Sequence, residues 1–232
     1  SSDVCSSDLC FNIIKTPGNA LVYTNYVLME GLQIIKIYFI LLNITKYGEY
    51  HGGIVDKIKR EKTRSSFNHS SNKNGDIMNV ILISPAMTEG VNLSNVRQVH
   101  ILEPWFNMNR IEQIIGRAVR TCSHKLLPLI KRNVSIFMHG SYYEKEKDLE
   151  LVDMYTYRQA EKKSVQIGRI TRLMKQGSVD CNLNIEQQNF TEQKFNHKIK
   201  QTLFNSKQIT ISLGDKKYTD ACRSEEHTSE LQ

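Results

Sequence analysis

Gln113-Ile-Ile-Gly116-Arg117-Ala-Val-Arg120 is the stretch on which the prediction of the fold depends. Its apolar residues follow helical spacing, and Gln113, Arg117 and Arg120 fall on the opposite side at about 100° per residue. The pattern predicts a helix with one packed face and one face that presents two guanidinium groups. The alternative is a solvated helix face without a function, which is the commoner origin of an isolated arginine pair.

A second stretch, about 25 residues upstream, makes a solvated helix face without a function the less favoured interpretation. It reads Ser84-Pro-Ala-Met-Thr88-Glu89-Gly90-Val-Asn-Leu93. The two stretches resemble motifs V and VI of the second RecA-like lobe of superfamily 2 helicases and translocases. The chain looks most similar to the helicase-like NTPases of large nucleocytoplasmic DNA viruses, of the poxvirus nucleoside triphosphate phosphohydrolase and early transcription factor small subunit type. This likeness covers about residues 17–222, including Glu103-Pro-Trp-Phe-Asn, Arg110–His124, Ala160–Lys163, Ser178–Cys181 and Gly214–Thr219.

The resemblance implies a set of nucleotide-site residues. Arg120 is the first candidate for an arginine finger on the γ-phosphate, and Arg117 is the candidate for a second phosphate contact. Gln113 has an amide that can orient water or bridge to the nucleotide. Glu89 and Gly90 fit a tight turn at a strand end, where open parallel sheets place their ligands. Gly116 costs about 1 kcal/mol of helix propensity against alanine, but it lets a large anion approach the backbone.

A second set of residues is suited to nucleic-acid contacts. Hydroxyl groups can donate hydrogen bonds to a DNA or RNA backbone and position the strand without reading its sequence. The candidates are Ser84 and Thr88 in motif V, and Tyr23 and Thr24 in a segment that resembles motif IV. The alternative for each is a cap or turn residue, and for Thr24 and Asn25 the two interpretations have equal weight.

Two motifs that ATP hydrolysis requires do not occur in the 232 residues. There is no G-x-x-x-x-G-K-[S/T] phosphate loop and no D-E-x-H metal-binding box. By resemblance these belong to a first, N-terminal RecA-like lobe, which would hold ATP and Mg²⁺. The sequence therefore predicts the C-terminal half of a nucleic-acid-dependent ATPase, a helicase or translocase, that is inactive as an isolated chain. The alternative is a non-hydrolysing nucleic-acid-binding or transcription-factor subunit that keeps the lobe as a scaffold.

Composition limits the classes of partner and compartment. The chain has a mean hydropathy of −0.42 and a net charge of +7, so a polyanionic partner is plausible. No stretch is long and apolar enough to predict a membrane span. The five cysteines lack metal-ligand spacing, so we expect no metal site. We expect an intracellular, cytoplasmic protein, in a viral factory or virion if it is viral, with viral transcription machinery as a further partner.

The two ends, residues 1–9 and 223–232, read like translated sequencing-adapter DNA from opposite strands of one linker. We expect both to be disordered and to carry no site. Without their charged residues the chain has 30 basic and 19 acidic residues, and its net charge is +11. The remaining domain boundaries are then 10–141 for the RecA-like lobe and 142–222 for a helical C-terminal extension that is cut short.

Alternation of strands and helices predicts an α/β fold, with a RecA-like parallel sheet and helices on both faces. The predicted strands are Asn19–Thr24, Ile77–Ile83, Gln98–Leu102 and Val134–Met138. A helix is expected from Tyr26 to about Tyr47. Gly48–Asp76 is expected to be mostly loop, with one short helix around Val55–Lys62. A long charged helix is expected from Tyr142 to about Gln176.

Overall fold

The computed structural model describes residues 2–27, 31–85, 91–141, 151–179, 198–202 and 208–212. The chain divides into two compact units, Ser1–Lys163 and Ser164–Gln232. The strands are β1 (Asn19–Tyr23), β2 (Tyr47–Tyr50), β3 (Val80–Ile83), β4 (Val96–Ile101), β5 (Ser135–Met138), β6 (Lys198–Thr202) and β7 (Gln208–Ser212). The helices are α1 (Ser2–Lys15), α2 (Leu32–Leu41), α3 (Lys57–Asn68), α4 (Met108–Ala118) and α5 (Val152–Gln176).

The first unit is built on a five-stranded sheet with the strand order β2-β3-β1-β4-β5. All four pairings are parallel, so all five strands begin at the same end of the sheet and finish at the opposite end. We call the end at which the strands begin the amino edge and the end at which they finish the carboxyl edge. Helices α2, α3 and α4 connect β1 to β2, β2 to β3 and β4 to β5, because parallel strands require crossover connections. The predicted α/β class with a parallel sheet is confirmed.

Both faces of the sheet are covered by helices, as predicted. Successive strand residues point to opposite faces, so Leu21 and Tyr23 lie on one face and Ala20 and Val22 on the other. The Leu21 face packs against α3 and α4 through Phe67, Ile111, Ile114 and Ala118. The Ala20 face packs against α1 and α2 through Leu9, Ile13, Leu32, Ile35 and Phe39. Each fully buried apolar side chain contributes about 1.5–3 kcal/mol relative to exposure.

Four of the five strands were predicted from the sequence, and β2 was missed. Its residues, Tyr-Gly-Glu-Tyr, include a glycine and a glutamate and lack a run of branched apolar side chains. The strand forms because it adds to the free edge of β3. The helix predicted from Tyr26 to Tyr47 is correspondingly too long, since α2 ends at Leu41 and Asn43 takes a positive φ of 56°.

The prediction that Gly48–Asp76 is mostly loop is also wrong. Helix α3 includes most of the short helix predicted around Val55–Lys62 but continues to Asn68. Its N-cap is Asp56, whose carboxylate accepts hydrogen bonds from the amides of Ile58 and Lys59 at 2.8 and 3.3 Å. Such a cap satisfies amide groups that the first helical turn leaves unpaired. The helix was underestimated because Phe67 is the one residue in it that is buried, so the sequence lacks an apolar stripe.

After α3 the chain is held by the side chain of Asn72, which is fully buried. Its Nδ2 donates to the carbonyl oxygens of Phe67 and Met78, each at 2.9 Å. Its Oδ1 accepts from the amides of Ile77 and Met78 at 2.9 and 2.8 Å. One side chain therefore supplies the hydrogen bonds that backbone pairing in a sheet would otherwise provide, and it fixes the path of the chain into β3.

Residues 1–9 were expected to be disordered, whereas the structure includes residues 2–9 in helix α1, which spans Ser2–Lys15. Leu9, Cys10 and Ile13 are buried against α2 and the sheet, and they lie within one helical turn of each other. Burial raises the pKa of the Cys10 thiol to about 11. Residues 223–232 lie outside the described residues, and the adapter origin of both ends stays a prediction.

The predicted C-terminal extension differs from the structure in two respects. The first compact unit extends past residue 141 to Lys163, because the first turns of α5 contact the end of β5. Tyr157 donates to the carbonyl of His139 at 3.0 Å, and Asp153 accepts from Ser141. The second unit contains an antiparallel strand pair, β6 and β7, where only helix was predicted. Residues 142–150, in the expected first part of the long helix, lie outside the described residues.

None of the described helices combines the length and the apolar character that crossing a lipid bilayer requires.

Candidate functional site

Helix α4 carries the first part of the octet. Ile111, Ile114 and Ala118 are buried against the sheet, and Gln113 is exposed, as the helical spacing predicted. The helix ends at Ala118, because Val119 has φ −102° and ψ 86°, outside the helical region. Arg120 therefore lies beyond the helix, and Val119 is half exposed. The prediction that one helix face carries Gln113, Arg117 and Arg120 is wrong for Arg120.

The end of α4 lies at the amino edge of the sheet, beside the segment that leads into β4. The amide of Leu93 donates to the carbonyl of Arg117 at 3.2 Å, and the amide of Asn95 donates to that of Ser123 at 2.9 Å. A third contact joins a ring nitrogen of His124 to the carbonyl of Val96 at 2.6 Å. These contacts fix where the chain turns after the helix.

The two arginines meet at one short segment, Val91–Asn92. Arg117 is partly buried and donates through Nη1 to the carbonyl of Val91 at 3.5 Å. Its Nε is buried and makes no hydrogen bond within the part of the chain that the structure describes. Arg120 is exposed and donates through Nη1 to Oδ1 of Asn92. Two guanidinium groups at one short segment concentrate positive charge there, which is suited to an incoming anion.

Gly116 lies one turn before Arg120 on the partly exposed side of α4. A Cβ atom built at this position would meet no atom within 4 Å. Packing within the described residues therefore does not require glycine here, and open space lies above the backbone. This agrees with the predicted close approach of an anion, which stays a prediction. Glu89 and Gly90, the other nucleotide-site candidates, lie outside the described residues.

The candidates for nucleic-acid contact lie at the opposite, carboxyl edge, and their side chains are buried. Tyr23 donates to Oδ1 of Asn25 at 2.9 Å, and burial raises its pKa to about 12. The Thr24 hydroxyl donates to Glu103 at 2.7 Å. Ser84 is 1% exposed. The hydrogen bonds of Tyr23 and Thr24 match the turn interpretation. All three hydroxyls are buried, so the structure does not present them for direct contact with nucleic acid. Thr88 lies outside the described residues.

Glu103 organises that carboxyl edge and was not singled out as a site residue. Its carboxylate accepts from the Thr24 hydroxyl and from the amide of Asn25 at 2.8 Å, so it joins the ends of β1 and β4. Burial raises its pKa, and the two hydrogen bonds oppose that shift. Close by, the Arg110 guanidinium lies 3.8 Å from the centre of the Trp105 ring, a cation–π contact. For Glu103, the available signal in the sequence was its position shortly after the buried strand β4.

The two predicted groups of site residues are therefore separated by the sheet. Arg117 and Arg120 lie at the amino edge, and Tyr23, Thr24 and Ser84 lie at the carboxyl edge. The six residues of β4 set the separation, about 17 Å at roughly 3.3 Å per residue. The structure brings the two arginines together but does not bring them to the buried hydroxyls.

A buried row of polar side chains runs along β4 on the sheet face that packs against α1. Gln98 donates through Nε2 to the carbonyl groups of Asn12 and Thr16 at 3.3 and 2.9 Å, so its Oε1 must face His100. Nε2 of His100 then donates to this oxygen at 2.9 Å, and its Nδ1 accepts from Nε2 of His139 at 3.1 Å. The network assigns both histidines as neutral Nε2–H tautomers.

We expect these histidines to make folding sensitive to mild acid. Burial lowers the pKa of His100 from 6.5 to about 3, and burial also lowers the pKa of His139. The unfolded chain therefore binds protons first as the pH falls, and stability that is complete above about pH 6.5 is lost below it. His100 alone accounts for about 2 kcal/mol at pH 5. Urea unfolding at pH 7.5 and 5 measures the loss.

The matched variant for this measurement is His100→Asn, which keeps a donor and an acceptor but does not titrate. Its free energy of unfolding should fall less between pH 7.5 and 5 than that of the wild type. Glu103 acts in the opposite direction, because its pKa is raised, and it does so in both proteins. Equal losses in the two proteins would contradict the assignment.

The described residues contain no group of three or more histidine, cysteine, aspartate or glutamate side chains that could hold a metal ion. The site at the amino edge is cationic, so it fits the phosphate groups of a nucleotide and does not fit Mg²⁺. This part of the chain can supply positive charge to a nucleotide, and a metal would require ligands from elsewhere.

Comparison with known proteins gives one family match and several similar sequences. Residues 6–122 match the model of the helicase conserved C-terminal domain. The chain is 37% identical over 189 residues to the putative ATP-dependent RNA helicase R350 of Acanthamoeba polyphaga mimivirus, an alignment that covers 75% of this chain and 23% of that protein. It is 35% identical over 159 residues to nucleoside triphosphatase I of Melanoplus sanguinipes entomopoxvirus, covering 66% of this chain and 23% of that protein.

A third relative is the putative helicase 087L of Invertebrate iridescent virus 3, 35% identical over 133 residues, covering 56% of this chain and 14% of that protein. Among solved structures, the C-terminal part of the Fun30 ATPase domain superposes with a TM-score of 0.52 at 18% identity, covering 67% of this chain and 44% of that one. This last similarity concerns the fold alone. The chain spans less than a quarter of the length of these viral relatives.

Proposed function

Because the chain belongs to the family of helicase conserved C-terminal domains, we propose that it is the second RecA-like lobe of a nucleic-acid-dependent ATPase and supplies its arginine finger. The family that the motifs predicted is thereby confirmed. The observation that carries the proposal is the pair of guanidinium groups held at Val91–Asn92. Both Arg117 and Arg120 lie at one edge of the sheet, and neither forms an ion pair with a carboxylate among the residues that the structure describes.

The chemistry follows from where charge develops during phosphoryl transfer. Hydrolysis of ATP increases the charge on the γ-phosphate oxygens in the transition state, and a positioned arginine stabilises it. Arg120 is exposed and uses one Nη for Asn92, so its other N–H groups remain available to the phosphate. Arg117, which is partly exposed, would add a second positive charge beside the phosphate groups, and exposed Gln113 would orient water.

A first RecA-like lobe would hold the rest of the site. When bound there, Mg²⁺ would neutralise part of the charge of the nucleotide's phosphate groups. The residues described in this chain do not offer a carboxylate cluster for that ion. This lobe therefore acts on the nucleotide from the opposite side of a cleft between the lobes, through charge and orientation.

The proposal includes DNA or RNA as the second partner. The positive net charge of the chain favours a polyanion, and the binding free energy should come mainly from phosphate contacts. With Tyr23, Thr24 and Ser84 buried, these contacts would come from other groups than those three hydroxyls. A link to viral transcription machinery stays a prediction from the resemblance.

Restoring a first lobe tests the function. In a two-lobed chimera, the aligned part of this chain replaces the segment of the mimivirus relative with which it aligns. We expect the chimera to hydrolyse ATP faster when single-stranded DNA or RNA is added, and the stimulation to weaken with increasing salt. The purified chain alone should show no appreciable turnover.

Two results would count against this proposal. Strong nucleic-acid-stimulated turnover by the isolated chain would mean that it holds a complete active site. A chimera that binds ATP and nucleic acid, but hydrolyses no ATP, would favour a scaffold or transcription-factor subunit instead.

A further inference from the structure

Three elements meet at the amino edge around Arg120: the end of α3, the segment that leads into β4, and the turn after α4. We propose that Asn68, the last residue of α3, is a positioning residue for Arg120 and acts through Asn92. This inference rests on the proposed function, because it concerns the finger of the same site. It adds a residue from the connection that the sequence predicted to be mostly loop.

The side chain of Asn68 reaches across to the segment before β4. Its Nδ2 donates to the carbonyl of Asn92 at 2.8 Å, and its Oδ1 accepts from the amide of Ser94 at 2.8 Å. Both atoms of one amide group therefore bind backbone groups two residues apart. This double contact fixes the segment at Asn92, which has an exposed position where water could otherwise compete for these groups.

Asn92 passes this constraint to the finger. Its main chain is held by Asn68, and its side-chain Oδ1 accepts from Nη1 of Arg120. The backbone of Arg120 is fixed separately, because its amide donates to the Ser123 hydroxyl at 3.3 Å and its carbonyl accepts from the Ser123 amide at 3.0 Å. The base and the tip of the same side chain are thus held from different elements.

Such a support matters because arginine is long and flexible. An exposed guanidinium samples many rotamers, and electrostatic catalysis requires the charge to be in place before the reaction. The contact with Asn92 uses one N–H and leaves the opposite side of the group open. Asn68 does not touch Arg120, so its effect should appear as a change in the position and mobility of Arg120.

The first test measures that mobility in this chain, without any ATPase. In ¹⁵N relaxation of the arginine Nε–H groups, Asn68→Ala should make the Arg120 side chain clearly more mobile. Arg132 is an internal reference, because its Nε donates to the carbonyl of Leu127 at 2.8 Å, far from Asn68 in the sequence. The control Asn74→Ala removes an exposed asparagine from the same connection and should change neither group.

A second variant keeps this test decisive if Asn68→Ala fails to fold. Asn92→Ala removes the side-chain contact with Arg120 but leaves the carbonyl that Asn68 binds. It should raise Arg120 mobility in the same way. Unchanged Arg120 relaxation in a folded Asn68→Ala protein, or in folded Asn92→Ala when the first variant does not fold, would overturn the proposal.

Kinetics in the two-lobed chimera separate this inference from the proposed function. Asn68→Ala should lower kcat by about 10-fold to 100-fold, with KM for ATP nearly unchanged. In an Arg120→Ala background the same change should have almost no further effect, because no finger remains to be positioned. Full kcat in Asn68→Ala, beside a large loss in Arg120→Ala, would reject the positioning role and keep the finger. Full turnover in Arg120→Ala would instead reject the finger itself.

Discussion

Arg120→Ala is expected to reduce the ATPase kcat of the two-lobed chimera by about 10³-fold or more, while ATP and nucleic acid still bind. Among the described residues the exposed guanidinium contacts Asn92 alone, so its removal should disturb the fold little. Its positive charge, by contrast, is the part of this lobe that the transition state would use. Single-turnover ATP hydrolysis and nucleotide binding, measured on the same preparation, give the two quantities.

Two further variants test whether the loss of kcat is specific to the guanidinium group of Arg120. Arg120→Lys keeps the charge but loses the planar fork of donors, so it should recover only part of the rate. Arg97→Ala removes an arginine that contacts Asn133 near the same edge, and it should leave kcat within a few-fold of the wild type. A loss in Arg97→Ala as large as that in Arg120→Ala would indicate a general effect of positive charge at this edge. Unchanged kcat in Arg120→Ala would favour the scaffold alternative.

The second large effect is expected on stability, from Asn72→Ala. This change leaves two carbonyl groups and two amides of the connection into β3 without their partner, and it empties a fully buried site. Each buried group without a hydrogen bond costs about 1–3 kcal/mol, and part of this is recovered when the segment relaxes. We expect a loss of about 3–5 kcal/mol, a large share of the roughly 5–15 kcal/mol of a typical domain.

Urea unfolding followed by circular dichroism measures this loss. Asn74→Ala, two residues further along and exposed, is the matched control and should change stability by less than about 0.5 kcal/mol. Asn72→Asp should also be destabilising, because a carboxylate can accept from the two amides but cannot donate to the two carbonyls. A loss below about 1 kcal/mol in Asn72→Ala would show that water replaces the side chain.

The buried strands and the family were predictable from local patterns. Short runs of branched apolar residues indicated the central strands β1, β3 and β4, since central parallel strands are covered on both faces. The same signal indicated β5, which is instead an edge strand with mostly exposed side chains. The motif V and VI residues identified the helicase lobe, because their side chains and glycines stand at characteristic spacings. In contrast, β2 and α3 have few buried side chains, so their sequences lack the signal on which such predictions rest.

The sequence by itself determined the α/β class, the family and the presence of two arginines and a glutamine near the end of one helix. Only the tertiary structure decided how Arg120 is held. Helical spacing continues through Val119 and Arg120 in the sequence, but the chain leaves the helix at Ala118 and turns back to contact the segment before β4. That turn is held by hydrogen bonds to Leu93 and Asn95. The segment that contains these two residues is itself held by the side chain of Asn68, through Asn92 and Ser94. These partners lie more than twenty residues away, and local periodicity carries no information about contacts at that separation.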